Sequence, residues 1–248
     1  MVSKQMSPFN AFLMLCLITF WGSSFVVVKI TLNEGLTPIA IATFRFLIAS
    51  AMFLAVLLIN KSVNRTCTLV VDKKDLPALL LLALTGVTFF FIIQYTGIEM
   101  ANASIAAILV CLLSPILISV FSSWLLKEHL SGKQVLGIGI AFAGTFTVVA
   151  GGSLDLNGNN GFFLGTLILL STPFLWAAYT VGGKAVMKKY SPLLVSAYVT
   201  ILGGLCLLPF AVVENSLGRI LTLTVQGWGQ SFTWLLPVHC WAISSGFM

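Results

Sequence analysis

Long uncharged, apolar runs alternate with short polar breaks along most of this chain. A helix needs about 20 apolar residues to cross the ~30 Å hydrocarbon core of a bilayer, so each run predicts one transmembrane span. The first two runs fill residues 10–60 and meet at the polar break Asn33-Glu34-Gly35 and Pro38, which predicts a helical hairpin. Later runs predict further spans near residues 76–97, 103–126, 133–155, 161–181 and 193–213.

The composition supports a membrane protein over a soluble one. Hydrophobic residues make up 58% of the chain, charged residues make up 8%, and the mean hydropathy is +1.05. Soluble domains carry roughly 25% charged residues. We therefore predict an all-α multi-pass membrane protein with the lipid bilayer as a partner. We predict no nucleic-acid partner despite the net charge of +6, because Lys and Arg in membrane proteins mark which loops are cytoplasmic.

The distribution of Lys and Arg among the loops predicts the orientation. If the N-terminus is cytoplasmic, the outer side carries only Lys29 and Arg219. The inner side then carries Lys4, Lys61, Arg65, Lys73, Lys74, Lys127, Lys133, Lys184, Lys188 and Lys189. The positive-inside rule thus predicts a protein of the cell membrane with a cytoplasmic N-terminus.

A spacing in the first span recurs in the sixth. Trp21 precedes Lys29 by eight residues, and Trp176 precedes Lys184 by eight residues, with a proline starting the next span in both places. Because an odd number of spans separates the two starts, the copies have opposite orientations in the membrane. Inverted repeats of this kind place a solute path between the two halves, near the bilayer midplane.

Three segments carry a family resemblance: FWGSSFVVVKITLNEGLTPIAIATFRFLIAS, GIEMANASIAAILVCLLSPILISVFSSWLLKEHLSGKQVLGIGIAFAGTFTVV and LWAAYTVGGKAVMKKYSPLLVSAYVTILGGLCLLPF. They resemble the EamA family of the drug/metabolite transporter superfamily, most specifically at Pro115, Glu128 and residues 137–144. The resemblance implies ten spans in two five-helix repeats, cytoplasmic termini and transport of small metabolites, commonly export. Here it implies a first repeat at 9–150, a connector at 151–160 and a partial second repeat of two to three helices at 161–248.

The end of the sequence departs from this family pattern. Its last stretch, QGWGQSFTWLLPVHCWAISSGFM, is typical of the opening of an eighth span, so about seven to eight of the ten spans are expected. Two interpretations stay open. We favour a truncated carrier that does not transport alone over a half-carrier that works as a homodimer or with another partner.

Arg45 is the leading candidate for solute contact, because an arginine within a span costs roughly 2.5–3.5 kcal/mol on insertion scales and needs a compensating role. No Asp or Glu lies in the middle of a predicted span, so an anionic or zwitterionic solute, such as an amino acid or organic acid, is favoured over a lipophilic cation. The alternative is that Arg45 extends outward and pairs with Glu34 or Glu99.

The other candidates each have a structural alternative. Aromatic rings stack on solutes or anchor a span at the interface, hydroxyls line a path or bond their own helix, and Gln94 with its neighbour forms a polar vestibule or an interface anchor. These further candidates for the solute path are Trp21, Ser23, Ser24, Lys29, Gln94, Tyr95, Trp176 and Tyr179.

An enzyme is the contrasting class, and the sequence argues against it. A membrane enzyme needs clustered His, Asp or Glu, or a nucleophile beside its base, and the two histidines, His129 and His239, are far apart in the sequence. No catalytic residue, metal or cofactor is therefore predicted. The predicted function is export of a small-molecule solute by alternating access.

Overall fold

The fold is known from a computed structural model, which describes residues 8–63, 70–126, 131–153 and 160–216. Glu128, most of the 151–160 connector and the predicted eighth span lie outside these residues. The α-helices are α1 (Pro8–Asn33), α2 (Pro38–Val63), α3 (Leu76–Ala83), α4 (Phe89–Met100), α5 (Ala103–Ile108), α6 (Ser114–Leu126), α7 (Gly132–Ser153), α8 (Asn160–Met187) and α9 (Pro192–Val213).

Two of the helical segments contain a π-helical turn. Leu84–Thr88 joins α3 to α4, and Leu109–Leu113 joins α5 to α6, so the described helices form seven segments at the positions of the seven predicted spans. The all-α membrane class is confirmed. Within the part of the chain that the structure describes, five segments are long and apolar enough to cross a membrane: Pro38–Ser62, Lys73–Met100, Ala103–Leu125, Gly161–Met187 and Pro192–Val213.

Local sequence explains where several helices begin. Gly35 adopts φ +93°, a conformation that glycine reaches without steric cost, so the predicted break after α1 is a tight turn. Asn102 caps α5 by accepting a 2.9 Å hydrogen bond from the backbone N–H of Ile105. Ser191 caps α9 in the same way, and Pro192 follows it at the first helical position, where its missing N–H is not needed.

The first half of the described chain (α1–α7) packs against the second half (α8 and α9). Helix α2 runs antiparallel to α9: Gly204 meets the backbone of Phe46, and the Ser50 hydroxyl donates to the Thr200 carbonyl at 3.2 Å. Helix α4 lies along α8, where a Cβ added at Gly97 would lie 2.5 Å from Cγ of Leu169. Small residues in both pairs let the helices approach closely.

Polar contacts also join the two halves of the described chain at two separate places. On one side Thr37 donates a 2.6 Å hydrogen bond to Glu214. On the other, Lys189 Nζ lies 2.6 Å from Oδ2 of Asp72 and 2.5 Å from Oδ2 of Asp75. Hydrogen bonding to Asp72 and then to Asp75 raises the pKa of Lys189 above its ordinary value. The ammonium is therefore charged throughout the physiological range.

We expect Lys189→Met to lower the Tm by about 1–3 °C, because exposed ion pairs contribute little. The folded pKa of Lys189 is raised, so its contribution is complete below the ordinary pKa of 10.5 and is lost only as the pH rises through the raised value. The Tm difference from wild type should thus be constant from about pH 6 to 9. Thermal melts in detergent measure it, with the exposed Lys188→Met as control. Equal changes in Tm for both substitutions would show that the Lys189 ion pairs do not stabilise the fold.

Candidate functional site

One turn of α4 brings aromatic residues of three helices together. The ring centroid of Phe90 lies 5.1 Å from that of Trp176 of α8, and the centroid of Phe91 lies 4.7 Å from that of Phe46 of α2. Phe90 and Phe91 contact each other at 4.9 Å. We call the connected set the aromatic cluster: Phe46, Phe90, Phe91, Tyr95, Trp176 and Tyr179. It links the first half of the chain to the second.

Arg45 lies at the α2 edge of this cluster. Its Nη1 donates a 2.8 Å hydrogen bond to the hydroxyl of Tyr95, a side chain that is only 2% exposed. Its guanidinium carbon also lies 5.1 Å from the ring centroid of Phe91. A hydrogen bond to a charged group contributes about 1.5–3 kcal/mol and a cation–π contact about 0.5–2 kcal/mol. Together they are comparable to the cost of placing arginine within a span.

A proline and a glycine fix the α8 side of the cluster. Pro173 has no N–H to give to the Leu169 carbonyl one turn earlier, and Thr172 Oγ1 donates to that carbonyl at 2.7 Å instead. Nearly two turns further along α8, the ring of Tyr179 packs against Gly86 in the first π-helical turn, where any Cβ would overlap the ring. The tyrosine can therefore pack there only against glycine.

Lys29, a candidate for the solute path, contacts backbone carbonyls of α4. Its ammonium donates to the carbonyls of Ile98 at 2.8 Å, Glu99 at 2.9 Å and Ala101 at 3.3 Å. These groups form the C-terminal end of α4, where the partial negative charge of the helix favours a cation. Lys29 thus binds the end of α4 and lies outside the aromatic cluster.

The predicted candidates divide into two groups. The cluster region unites Arg45, Tyr95, Trp176 and Tyr179, and Gln94 occupies the same turn of α4 with 5% of its surface exposed. The α1 candidates lie elsewhere: Trp21 is 42% exposed, Ser23 is exposed and Ser24 is buried. The cluster region thus combines aromatic rings from three helices with the guanidinium of Arg45.

Comparison with known proteins identifies the family. Residues 8–150 and 163–246 match the EamA-like transporter family. The chain belongs to this family. Both matched segments contribute to the aromatic cluster, since α2 and α4 lie in the first, and Trp176 and Tyr179 of α8 lie in the second.

Several relatives of this EamA-like chain are named as transporters. An uncharacterized transporter of Archaeoglobus fulgidus is 30% identical over 193 residues, which cover 78% of this chain and 64% of the relative. The uncharacterized transporter YetK of Bacillus subtilis is 29% identical over 96% of this chain and 70% of its own length. A "probable amino-acid metabolite efflux pump" of Escherichia coli is 26% identical over 84% of this chain and 64% of its own length.

The chain thus spans less than two thirds of the Archaeoglobus relative and of the Escherichia coli pump. No solved structure matches it with significant similarity.

Sequence reasoning missed Phe90 and Phe91 in this EamA-like chain. The available signal was the run Phe89-Phe90-Phe91, which lies just before Gln94. Such a run does not identify a site by itself, because phenylalanine also faces lipid, and Phe89 is 41% exposed. Only the packing of α4 between α2 and α8 separates the two inward-facing rings from the outward-facing one.

We expect Lys29→Met to destabilise the protein by about 1–2 kcal/mol, because three carbonyls at the end of α4 lose a charged donor. Lys29→Arg should retain most of the stability. Unfolding in detergent, followed by intrinsic fluorescence, measures the change. The exposed Lys61 at the end of α2 provides the control, Lys61→Met. If both methionine variants unfold at the same temperature as wild type, the carbonyl contacts do not stabilise the fold.

Proposed function

We propose that this EamA-like chain exports small metabolites, such as amino acids or organic anions, by alternating access. The observation that carries the proposal is the Arg45–Tyr95 pair beside an aromatic cluster shared by both halves of the chain. A guanidinium presents its donors in a planar fork that matches a carboxylate in a two-bond geometry. The aromatic rings would receive the apolar part of the solute.

The relatives favour amino acids within this class. Two of them, from Salmonella typhimurium and Escherichia coli, carry the name "probable amino-acid metabolite efflux pump". An amino acid offers both the carboxylate that Arg45 would bind and a side chain that the rings would cover. This makes amino acids the first solutes to test.

The proposal includes an arrangement in the membrane. Residues 9–150 would form one repeat and residues 161–248 part of an inverted second repeat, in keeping with the two matched segments. The N-terminus would lie on the cytoplasmic side of the cell membrane, as the loop lysines and arginines favour. Alternating access would then rock one repeat against the other about the aromatic cluster.

The test is efflux from proteoliposomes that contain the purified chain. Vesicles loaded with labelled leucine, phenylalanine or an organic acid should release at least one of them several times faster than protein-free vesicles. Cross-linking of the same sample shows whether the active species is a monomer or a homodimer. Release equal to that of protein-free vesicles for every solute would contradict the proposal.

A further inference from the structure

Four polar residues join the two halves of the described chain where α8 is followed by α9. Lys189 Nζ lies 2.6 Å from Oδ2 of Asp72 and 2.5 Å from Oδ2 of Asp75. The Tyr190 hydroxyl donates a 2.5 Å hydrogen bond to Asp75 and accepts a 3.1 Å hydrogen bond from the backbone N–H of Asp72. We call these four residues the polar network. Both aspartates precede α3 in the first half, so the halves cannot separate at this end unless the network breaks.

A small group of apolar side chains lies beside the network, between α2 and α9. We call it the apolar layer: Phe53, Leu57, Leu194 and Ala197. All four side chains are buried, and Tyr190 of the network packs against them. Two of them come from α2 and two from α9, so the layer also joins the first half to the second.

The network and the layer lie in series between the aromatic cluster and one end of the fold. On α2, Phe53 and Leu57 lie about 10 Å and about 16 Å beyond Phe46 of the cluster, at 1.5 Å per residue. On α9, Leu194 lies in the first turn, directly after the network. The loop lysines and arginines favour this end as the cytoplasmic one. A solute that moves between the halves from this end to the cluster therefore meets the network first and the layer second.

We propose that the polar network and the apolar layer together form the cytoplasmic gate of the transport path, closed in this structure. The inference rests on the proposed function and adds the element that opens on one side during alternating access. The layer excludes water and polar solutes, and the network holds the halves together over it. The Lys189 and Asp72 side chains are 53% and 67% exposed. Water can replace the partners of such exposed ions at little cost, so the network opens and re-forms readily.

A reporter cysteine at Ser50 tests the gate. Ser50 lies on α2 between Phe46 of the cluster and Phe53 of the layer, and its hydroxyl donates to the Thr200 carbonyl of α9 at 3.2 Å. Ser50→Cys is introduced after the five native cysteines have been replaced by alanine. Its reaction with a membrane-impermeant maleimide is timed from each side of the membrane, in inside-out and right-side-out vesicles. Lys189→Met should speed the reaction about three- to tenfold from the cytoplasmic side and should not speed it from the other side.

Further variants separate the gate from general packing. Asp75→Asn weakens the same network from the first half, so it should also speed the reaction from the cytoplasmic side. The combined variant should fall short of the product of the two single effects, because both residues belong to one network. Lys189→Arg keeps a charged donor and should react as slowly as the unaltered reporter protein. Lys188→Met is the matched control, since it removes the neighbouring exposed lysine, and it should leave the rate unchanged.

The outcomes distinguish the gate from the proposed function. Faster reaction from the cytoplasmic side alone in Lys189→Met and Asp75→Asn supports the gate. Equally faster reaction from both sides would mean that the substitutions only loosen the packing of the halves, and this result would overturn the gate. An unchanged rate in Lys189→Met, or the same increase in Lys188→Met, would overturn it as well. The labelling needs no transported solute, so a lack of efflux for every solute would contradict the proposed function alone.

Discussion

Replacing Arg45 with alanine is expected to reduce amino-acid efflux by about 100-fold, the loss that follows when a carboxylate loses a charged two-bond partner. The guanidinium is the charged group at the aromatic cluster, held between the Tyr95 hydroxyl at 2.8 Å and the ring of Phe91. Arg45→Lys keeps the charge but not the planar fork. It should therefore still lose about tenfold.

Tyr95→Phe tests whether the tyrosine hydroxyl positions Arg45. It removes the hydroxyl that positions Arg45 and retains the ring that packs 5.5 Å from Phe91. We expect an intermediate loss of efflux, with a melting temperature close to that of wild type. Initial rates in proteoliposomes, at several leucine concentrations, separate weaker binding from a slower step. Wild-type rates in Arg45→Ala would mean that Arg45 serves only the packing of α2 on α4.

Gly165→Ala is expected to lower the Tm by about 5–10 °C. A Cβ at Gly165 would lie 2.7 Å from the backbone nitrogen of Ala101 and 3.0 Å from the carbonyl carbon of Met100. These are main-chain atoms at the end of α4, where the Lys29 ammonium donates to the Ala101 carbonyl. They cannot move aside as a side chain would, so α8 and α4 must separate to accept the methyl group.

Gly137→Ala is the control for this substitution. Gly137 lies on α7, and nothing lies within 4 Å of a Cβ built there. Alanine is the better helix former by about 0.8–1.0 kcal/mol, so this variant should melt at or slightly above the wild-type temperature. Thermal unfolding of both proteins in the same detergent makes the comparison. A similar fall in Tm for both would show that helix contacts at Gly165 are not the cause.

The two matching Trp–Lys spacings predict equivalent positions for the two lysines but do not predict their contacts. Lys29 and Lys184 occupy corresponding positions in the first and sixth segments. Lys29 binds backbone carbonyls of α4, whereas Lys184 donates to the Ser122 hydroxyl at 3.2 Å. The spacing alone could not predict this difference, because each lysine bonds with whatever helix lies beside it.

The sequence by itself determined the seven helical segments and their order. The thickness of a bilayer sets the length of an apolar run, and a glycine with positive φ at Gly35 or a cap at Ser191 acts over a few neighbouring residues. It also determined that Arg45 needs a compensating partner, because the cost of burying a charge depends on the residue and its depth. These properties are local, so local patterns predict them.

Only the tertiary structure decided which side chains meet. The aromatic cluster exists because α4 packs between α2 and α8, and close approach at Gly97 and Gly86 sets the relative height of α4 and α8. The same packing places the Lys29 ammonium against the end of α4 and buries Gln94. In a bilayer the lipid and a neighbouring helix are equally apolar, so hydrophobicity does not select the partner of a helix face. Shape complementarity between helices does, and it depends on residues far apart in the sequence.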